Sequence, residues 1–213
     1  KNLMSEDGKK VFFNTPENVE ALQFWIDLQK KDKVMAEGIV QWTDLPAQFL
    51  AGEVAMIYHT TGNLSNIAKN AKFNYGVAFL PGHKRKGAPT GGGNFYISSK
   101  ISKEKQKAAW KFIKYLTTAE RAAQWSVDTG YVPTRKSAFE TEIMKKYYAE
   151  RPQAKVAYEQ LKFAKPELTT YNAAEIWRIL NDNIQSAITG EKTAKDALDN
   201  AQKEATEVLK DFN

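Results

Sequence analysis

The sequence predicts a helix-rich α/β or α+β protein in which many helices surround a few short strands. Apolar residues recur at helical spacing along most of the chain, short apolar runs stopped by Gly or Pro interrupt them, and no internal repeat or low-complexity linker intervenes. The 213 residues are 42% hydrophobic and 26% charged, with 12 Gly and 7 Pro, which excludes collagen-like and wholly disordered chains. A chain of this length buries about 70% of its unfolded surface, so packing can sustain it without staples.

Thr15 before Pro16 and Glu17 marks a helix start, the hydroxyl being able to accept an orphan amide bond; Val19, Leu22, Trp25 and Ile26 follow as a helical stripe. A second helix is expected from Thr43 or Asp44, with Pro46 in its first turn and Gly52 as its stop. Three apolar runs read as strands: 54–58, 75–80 and, entered through Gly91, Gly92 and Gly93, 94–98. Ala109, Phe112, Ile113 and Leu116 share the face of the next helix. Capping boxes at Thr117 with Glu120 and at Ser137 with Glu140 would start two more, separated by the break Gly130, Tyr131, Val132, Pro133. In the last third, Ala154, Tyr158 and Leu161 form a stripe, and Pro166 interrupts it. Ile176, Leu180, Ile184 and Ala187 resume the pattern up to Gly190, and Thr193 opens a final helix through Ala197, Leu198, Ala201, Ala205 and Val208.

Several function classes are excluded or weakened by composition. No run approaches the ~18 to 20 apolar residues of a membrane span, and Lys1 to Glu6 carry no secretory apolar region, so a soluble chain is expected. Cysteine is absent, which removes disulfides, thiolate metal sites and a cysteine nucleophile. His59 and His83 are too far apart to suggest a ligand motif. The net charge of +6 admits an acidic partner, and a basic nucleic-acid-binding module is one rival reading. Against it, arginine occurs only at Arg85, Arg121, Arg135, Arg151 and Arg178, and the lysines are interspersed with acids, a pattern that describes a solvated surface. The run His83 to Lys86 reads as an exposed turn.

No Gly-x-Ser-x-Gly elbow is present. The Gly91–Gly93 cluster lacks the Lys and Ser or Thr of a phosphate loop and precedes a strand rather than a helix. No carboxylate pair stands out as an acid and base set, although a carbohydrate-active enzyme is a second rival. Aromatic and small polar residues at element ends are more informative, because rings hold the apolar faces of sugar-like ligands while hydroxyls and amides hold their edges. His59, Thr60, Thr61, Gly62 and Asn63 qualify, and read equally as a turn with helix capping. Tyr131 reads equally as packing, and Trp177, in phase with Ala173, Leu180 and Ile184, equally as core. The three glycines fit either a tight turn or close backbone approach to a ligand.

Phe49, Leu50, Ala51, Gly52, Glu53, Val54, Ala55, Met56, followed by Thr61, Gly62, Asn63, resembles the helix, glycine, strand and ligand loop of the extracellular solute-binding proteins of ABC importers, the family 1 group that contains the maltose-binding and glycerol-phosphate-binding proteins. Similar matches follow in order: Tyr75, Gly76, Val77 with Leu80, Pro81; the glycines before Phe95, Tyr96, Ile97; Trp110, Phe112, Ile113, Leu116; Gly130 to Pro133; and Thr189 to Thr193 with Ala197, Leu198.

The resemblance implies a periplasmic-binding-protein-like two-lobe fold of type II, with only the carboxyl-terminal half present, since members are near twice this length. It places 1–80 in the carboxyl-terminal lobe, 81–133 in a crossover completing the amino-terminal lobe, and 134–213 in a helical return to the carboxyl-terminal lobe. It further implies a non-enzymatic, monomeric receptor without cofactor or metal, located in the periplasm or lipid-anchored on the cell surface. That receptor would deliver a sugar, polyol or glycerol-phosphate-like solute to permease subunits. Thr61 matches the small hydroxyl residue that contacts solute in glycerol-phosphate-like members, Gly92 and Gly93 the glycines that approach it, and Tyr131 the ligand-facing tyrosine. Trp177 falls where maltose-binding relatives stack a sugar ring. Thr169 stands where glycerol-phosphate members carry an arginine, which favours a neutral sugar or polyol.

Overall fold

The computed structural model describes residues 2–39 and 41–212. In chain order its helices are α1 (Pro16–Lys30), α2 (Leu45–Ala51), α3 (Leu64–Asn70), α4 (Lys103–Leu116), α5 (Ala119–Thr129), α6 (Glu142–Glu150), α7 (Lys155–Gln160), α8 (Ala173–Thr189) and α9 (Ala194–Leu209). Two short strands, β1 (Ala88–Thr90) and β2 (Ala164–Pro166), pair with each other. The chain divides into two compact units, residues 1–41 with 166–213 and residues 42–165. These boundaries follow compactness within this chain, whereas the expected division at 80 and 133 concerns lobes of a longer fold.

The first unit is built on α8 and α9, with α1 packed against both. Both long helices carry small residues on the shared face: Ala187 on α8, and Ala194, Ala197, Ala201 and Ala205 on α9, are all buried, which lets the backbones approach closely. Larger side chains, Phe13, Leu22, Ile176, Ile179, Leu180 and Leu209, fill the remaining space. Gly190 ends α8 in the left-handed region at φ 89°, and Thr193 caps α9 by accepting the Asp196 N–H, as the sequence predicts. At the connection, the buried Asn183 amide donates to the Ile179 carbonyl and accepts from Lys192 Nζ at 3.2 Å. Thr15 precedes α1 as expected, but its carbonyl rather than its hydroxyl does the capping, accepting from Asn18 and Val19.

The second unit has its core where α5 meets α6 and the 3₁₀ turn Lys136–Glu140, around Ala122, Ala123, Ala138, Met144, Tyr147 and Ala154. Two predicted caps move. Thr118, not Thr117, caps α5 by accepting the Arg121 N–H, and Thr141, not Ser137, caps α6 by accepting from Met144. In each case the neighbouring threonine has the extended backbone that an N-cap needs, while Ser137 lies inside the 3₁₀ turn.

The three predicted strands are the main correction. Residues 54–58, 75–80 and 94–98 join no ladder among the described residues. A strand requires a neighbour's N–H and C=O groups, and none is supplied by these elements, so apolar side chains that read as buried are open: Met56 is 71% exposed and Tyr96 86%. The same holds for α4, which is amphipathic yet buries none of its residues.

Tyr148, on α6, lies against Phe139 at 6.2 Å between ring centroids and under Lys155 Nζ at 5.8 Å. Burial, with the neighbouring Tyr147 and Tyr158 hydroxyls, pushes its phenol up to about 12. An unfolded tyrosine ionises near 10, so the folded state keeps this proton longer, and the stability it confers is present below about pH 10 and is lost as pH rises through about 12. We expect the unfolding free energy of wild type, from urea denaturation, to fall more between pH 8 and pH 11 than that of Tyr148→Phe, by on the order of 1 kcal/mol after screening by solvent. Equal declines would remove Tyr148 as the cause.

Candidate functional site

The structure brings together two segments about 70 residues apart in the chain, each marked separately by residue type in the sequence. The first is the 3₁₀ turn Thr61–Asn63 leading into α3, whose entry is set by the Thr60 hydroxyl accepting the Gly62 N–H at 3.3 Å. The second is the end of α5, where Gly130 takes φ 97° and aims the chain into Tyr131. A Cβ on Gly130 would lie 2.6 Å from both the Thr61 carbonyl oxygen and the Leu64 Cβ, and a Cβ on Gly62 would lie 2.3 Å from Tyr131 Cζ. Glycine is needed at 130, where a Cβ would press on the Thr61 backbone, whereas at 62 a Cβ would displace the Tyr131 ring that crosses it.

The contact is anchored from beneath. Buried Ser65 donates to the Val127 carbonyl at 2.7 Å, Leu64 packs on the α5–α6 core, and the Ser126 hydroxyl donates to the Tyr131 carbonyl. The Tyr131 N–H donates to Thr129 Oγ1 at 3.1 Å. Thr61 and Tyr131 are both exposed above this support, so a hydroxyl and a ring are presented side by side on a fixed backbone.

Gly92 and Gly93 belong to the same unit but are open, with nothing within 4 Å of the position a Cβ would take at either. Trp177 lies in the other unit, on α8. Its indole N–H donates to the Leu168 carbonyl at 3.0 Å while 37% of the residue stays exposed, so its orientation is held but it is not core. Thr169 is exposed and donates to the Glu167 carbonyl at 3.0 Å.

One feature beside the Thr61–Asn63 turn is missed by the sequence patterns. Trp42 is stacked on His59 with centroids 3.8 Å apart and planes 20° from parallel, and together with α2 and Asn63 they line a cavity of about 410 Å³. Trp42 sits just ahead of the α2 start, so the criterion of an aromatic residue at an element end would have found it.

The described residues contain no group of three or more His, Asp or Glu side chains placed to hold a metal ion. Several cations are paired with acids along helices, as in Lys145 with Glu142, Arg178 with Glu175 and Asp182, and Lys195 with Asp199. That pairing supports the solvated-surface reading of the charge.

Comparison with known proteins agrees with this architecture. The sn-glycerol-3-phosphate-binding periplasmic protein UgpB of Salmonella paratyphi A is 32% identical over 210 residues, covering 94% of this chain and 48% of that protein. Its counterpart in Pectobacterium atrosepticum is 32% identical over 212 residues. Among solved structures, UgpB from Mycobacterium tuberculosis in complex with glycerophosphocholine superposes with TM-score 0.83 at 27% identity, covering 97% of this chain and 52% of that one. Maltose-bound MalE3 of T. maritima gives TM-score 0.84 at 29% identity, covering 97% and 54%. The chain thus has the two-lobe binding-protein fold over about half the length of the relatives it matches. Residues 2–155 match the family model described as bacterial extracellular solute-binding protein, and the chain belongs to that family.

Proposed function

We propose that this chain is part of a solute-binding receptor of an ABC importer, acting outside the cytoplasmic membrane and delivering its solute to permease subunits. The observation that carries the reading is the Gly62–Tyr131 contact: a ring laid across a glycine backbone next to the exposed Thr61 hydroxyl offers an apolar face beside a hydrogen-bonding group, the two surfaces a sugar-like solute requires. Such a surface suits a polar small molecule, and the receptor is read as a non-enzyme. Thr61 and Tyr131 contact the solute. Gly92 and Gly93 approach it by backbone, and Trp177 stacks on it.

Residues 1–80 and 134–213 share one lobe, and 81–133 belong to the other. The exposed apolar face of α4 supports this, since an amphipathic helix with no buried residue calls for cover from elements beyond the described chain. Solute enters between the lobes, and hinge closure presents the filled form to the permease.

Calorimetric titration of the full-length protein with maltose, sorbitol, sn-glycerol 3-phosphate and glycerophosphocholine tests the reading. Saturable binding of at least one of these, with no new product after incubation, is expected. No heat from any of them would overturn it.

A further inference from the structure

Trp177 on α8 is held by a bond outside its own helix, its indole N–H donating to the Leu168 carbonyl at 3.0 Å. That carbonyl shares a peptide plane with the Thr169 N–H, and in a trans peptide the two point in opposite directions. The Thr169 N–H donates to the Met4 sulfur at 3.0 Å. One peptide plane thus lies between a thioether on one side and an indole on the other. Sulfur is a weak acceptor and Thr169 is exposed, so water would satisfy this amide as well. What water does not supply is a fixed direction: a plane held only at its carbonyl can tilt about the bonds on either side, and the indole tilts with it.

Met4 is itself fixed. It pairs antiparallel with Val11, and the Phe12 N–H donates to the Leu3 carbonyl at 2.8 Å, which makes 3–12 a hairpin. Ser5 closes the turn, its hydroxyl donating to Asp7 Oδ1 at 2.6 Å and accepting the Lys10 N–H at 3.0 Å. The tip presses on the segment that holds Trp177. There the Gly8 carbonyl accepts the Tyr171 N–H at 3.3 Å, and a Cβ on buried Gly8 would lie 2.9 Å from the Thr169 carbonyl oxygen. At the base of the hairpin, Val11 is buried in the same core cluster as Leu168. All of these contacts lie within the first unit.

We propose that Met4 is a positioning residue for Trp177, acting through the Leu168–Thr169 peptide plane to fix the angle at which the indole meets the solute. The assignment rests on the receptor reading above, in which Trp177 contacts the solute, and adds to it a residue that acts only through another.

The test uses the full-length protein, and its first readout needs no solute. The Trp177 indole N–H signal in nuclear magnetic resonance, identified by its loss in Trp177→Phe, is expected to shift in Met4→Leu and to exchange faster with water. The urea midpoint should move little, because leucine keeps the apolar bulk. The second readout is calorimetric titration with maltose, sorbitol, sn-glycerol 3-phosphate and glycerophosphocholine. Affinity for whichever of these binds is expected to fall about three- to tenfold in Met4→Leu, the scale of one neutral hydrogen bond. Once Trp177 is replaced by phenylalanine, Met4→Leu should cost nothing further, since the group it positions is gone. A Trp177 signal or a solute affinity unchanged in Met4→Leu would overturn the proposal. An equal loss in both backgrounds would mean that Met4 acts without Trp177, overturning the positioning role and leaving the receptor reading standing. Absence of all binding to wild type would overturn both.

Discussion

Gly130→Ala is expected to destabilise the second unit by about 3 kcal/mol, and Gly62→Ala by less than about 1 kcal/mol, although both glycines belong to the same contact. The difference lies in what the new methyl meets. At position 130 it would press on the Thr61 carbonyl oxygen and Leu64 Cβ at 2.6 Å, atoms of the backbone and its first carbon that cannot swing aside. The residue would also be held at φ 97°, where an L side chain is strained. At position 62 the methyl meets the far end of the Tyr131 side chain, which is 43% exposed and can rotate into solvent. Under the proposed function the ligand readout differs: Gly62→Ala should weaken solute binding at least tenfold while folding normally, because the ring that holds the solute has been displaced. Urea denaturation together with calorimetric titration of the two variants checks this. Equal stability losses would mean that the Tyr131 ring is as fixed as the backbone beneath it, and would remove the distinction between the two glycines.

Phe13→Ala should cost about 3 to 5 kcal/mol in the first unit, the range for emptying an aromatic site in a packed core. Phe13 is fully buried in one cluster with Ile176, Leu180, Leu198 and the alanines of α9, and the alanines have no side chain beyond Cβ with which to fill the space. The segment around it depends on α9 as well. The Phe13 N–H donates to Gln202 Oε1 at 2.7 Å, and Gln202 Nε2 donates to the Val11 carbonyl at 3.0 Å. One glutamine thereby satisfies backbone groups that no strand partner takes up. Loosening Phe13 exposes that pair of bonds to water, so the loss extends beyond the cavity. Phe13→Leu should recover most of the stability. With whole domains stable by about 5 to 15 kcal/mol, the alanine variant should lose its cooperative unfolding transition near 37 °C or close to it. A loss of under about 1 kcal/mol in unfolding free energy would show that the site refills.

Local chemistry that repeats within one turn of chain was legible from residues alone. Pro16, Gly52, Gly190 and Thr193 mark helix ends where the structure has them, because a missing amide proton, a left-handed backbone or a capping hydroxyl acts over a few residues. The stripe of α8 and the alanine face of α9 were equally readable, since period and residue size are properties of the sequence. Thr61, Gly62 and Tyr131 could be named as candidates by type, each with an ordinary turn or packing reading beside it.

Tertiary structure alone decided which of these meet. That Tyr131 crosses Gly62, and that Gly130 must be glycine to pass Thr61, depends on α5 being docked through Ser65 and Leu64, a relation no local pattern encodes. It also decided that 54–58, 75–80 and 94–98 are not strands in this chain, because an apolar alternation states what a strand would bury and says nothing of whether a partner is present to take its hydrogen bonds. The Trp42–His59 stack shows the same limit from the other side: its two rings are 17 residues apart, and only folding turns a tryptophan in an unpatterned stretch into a fixed surface.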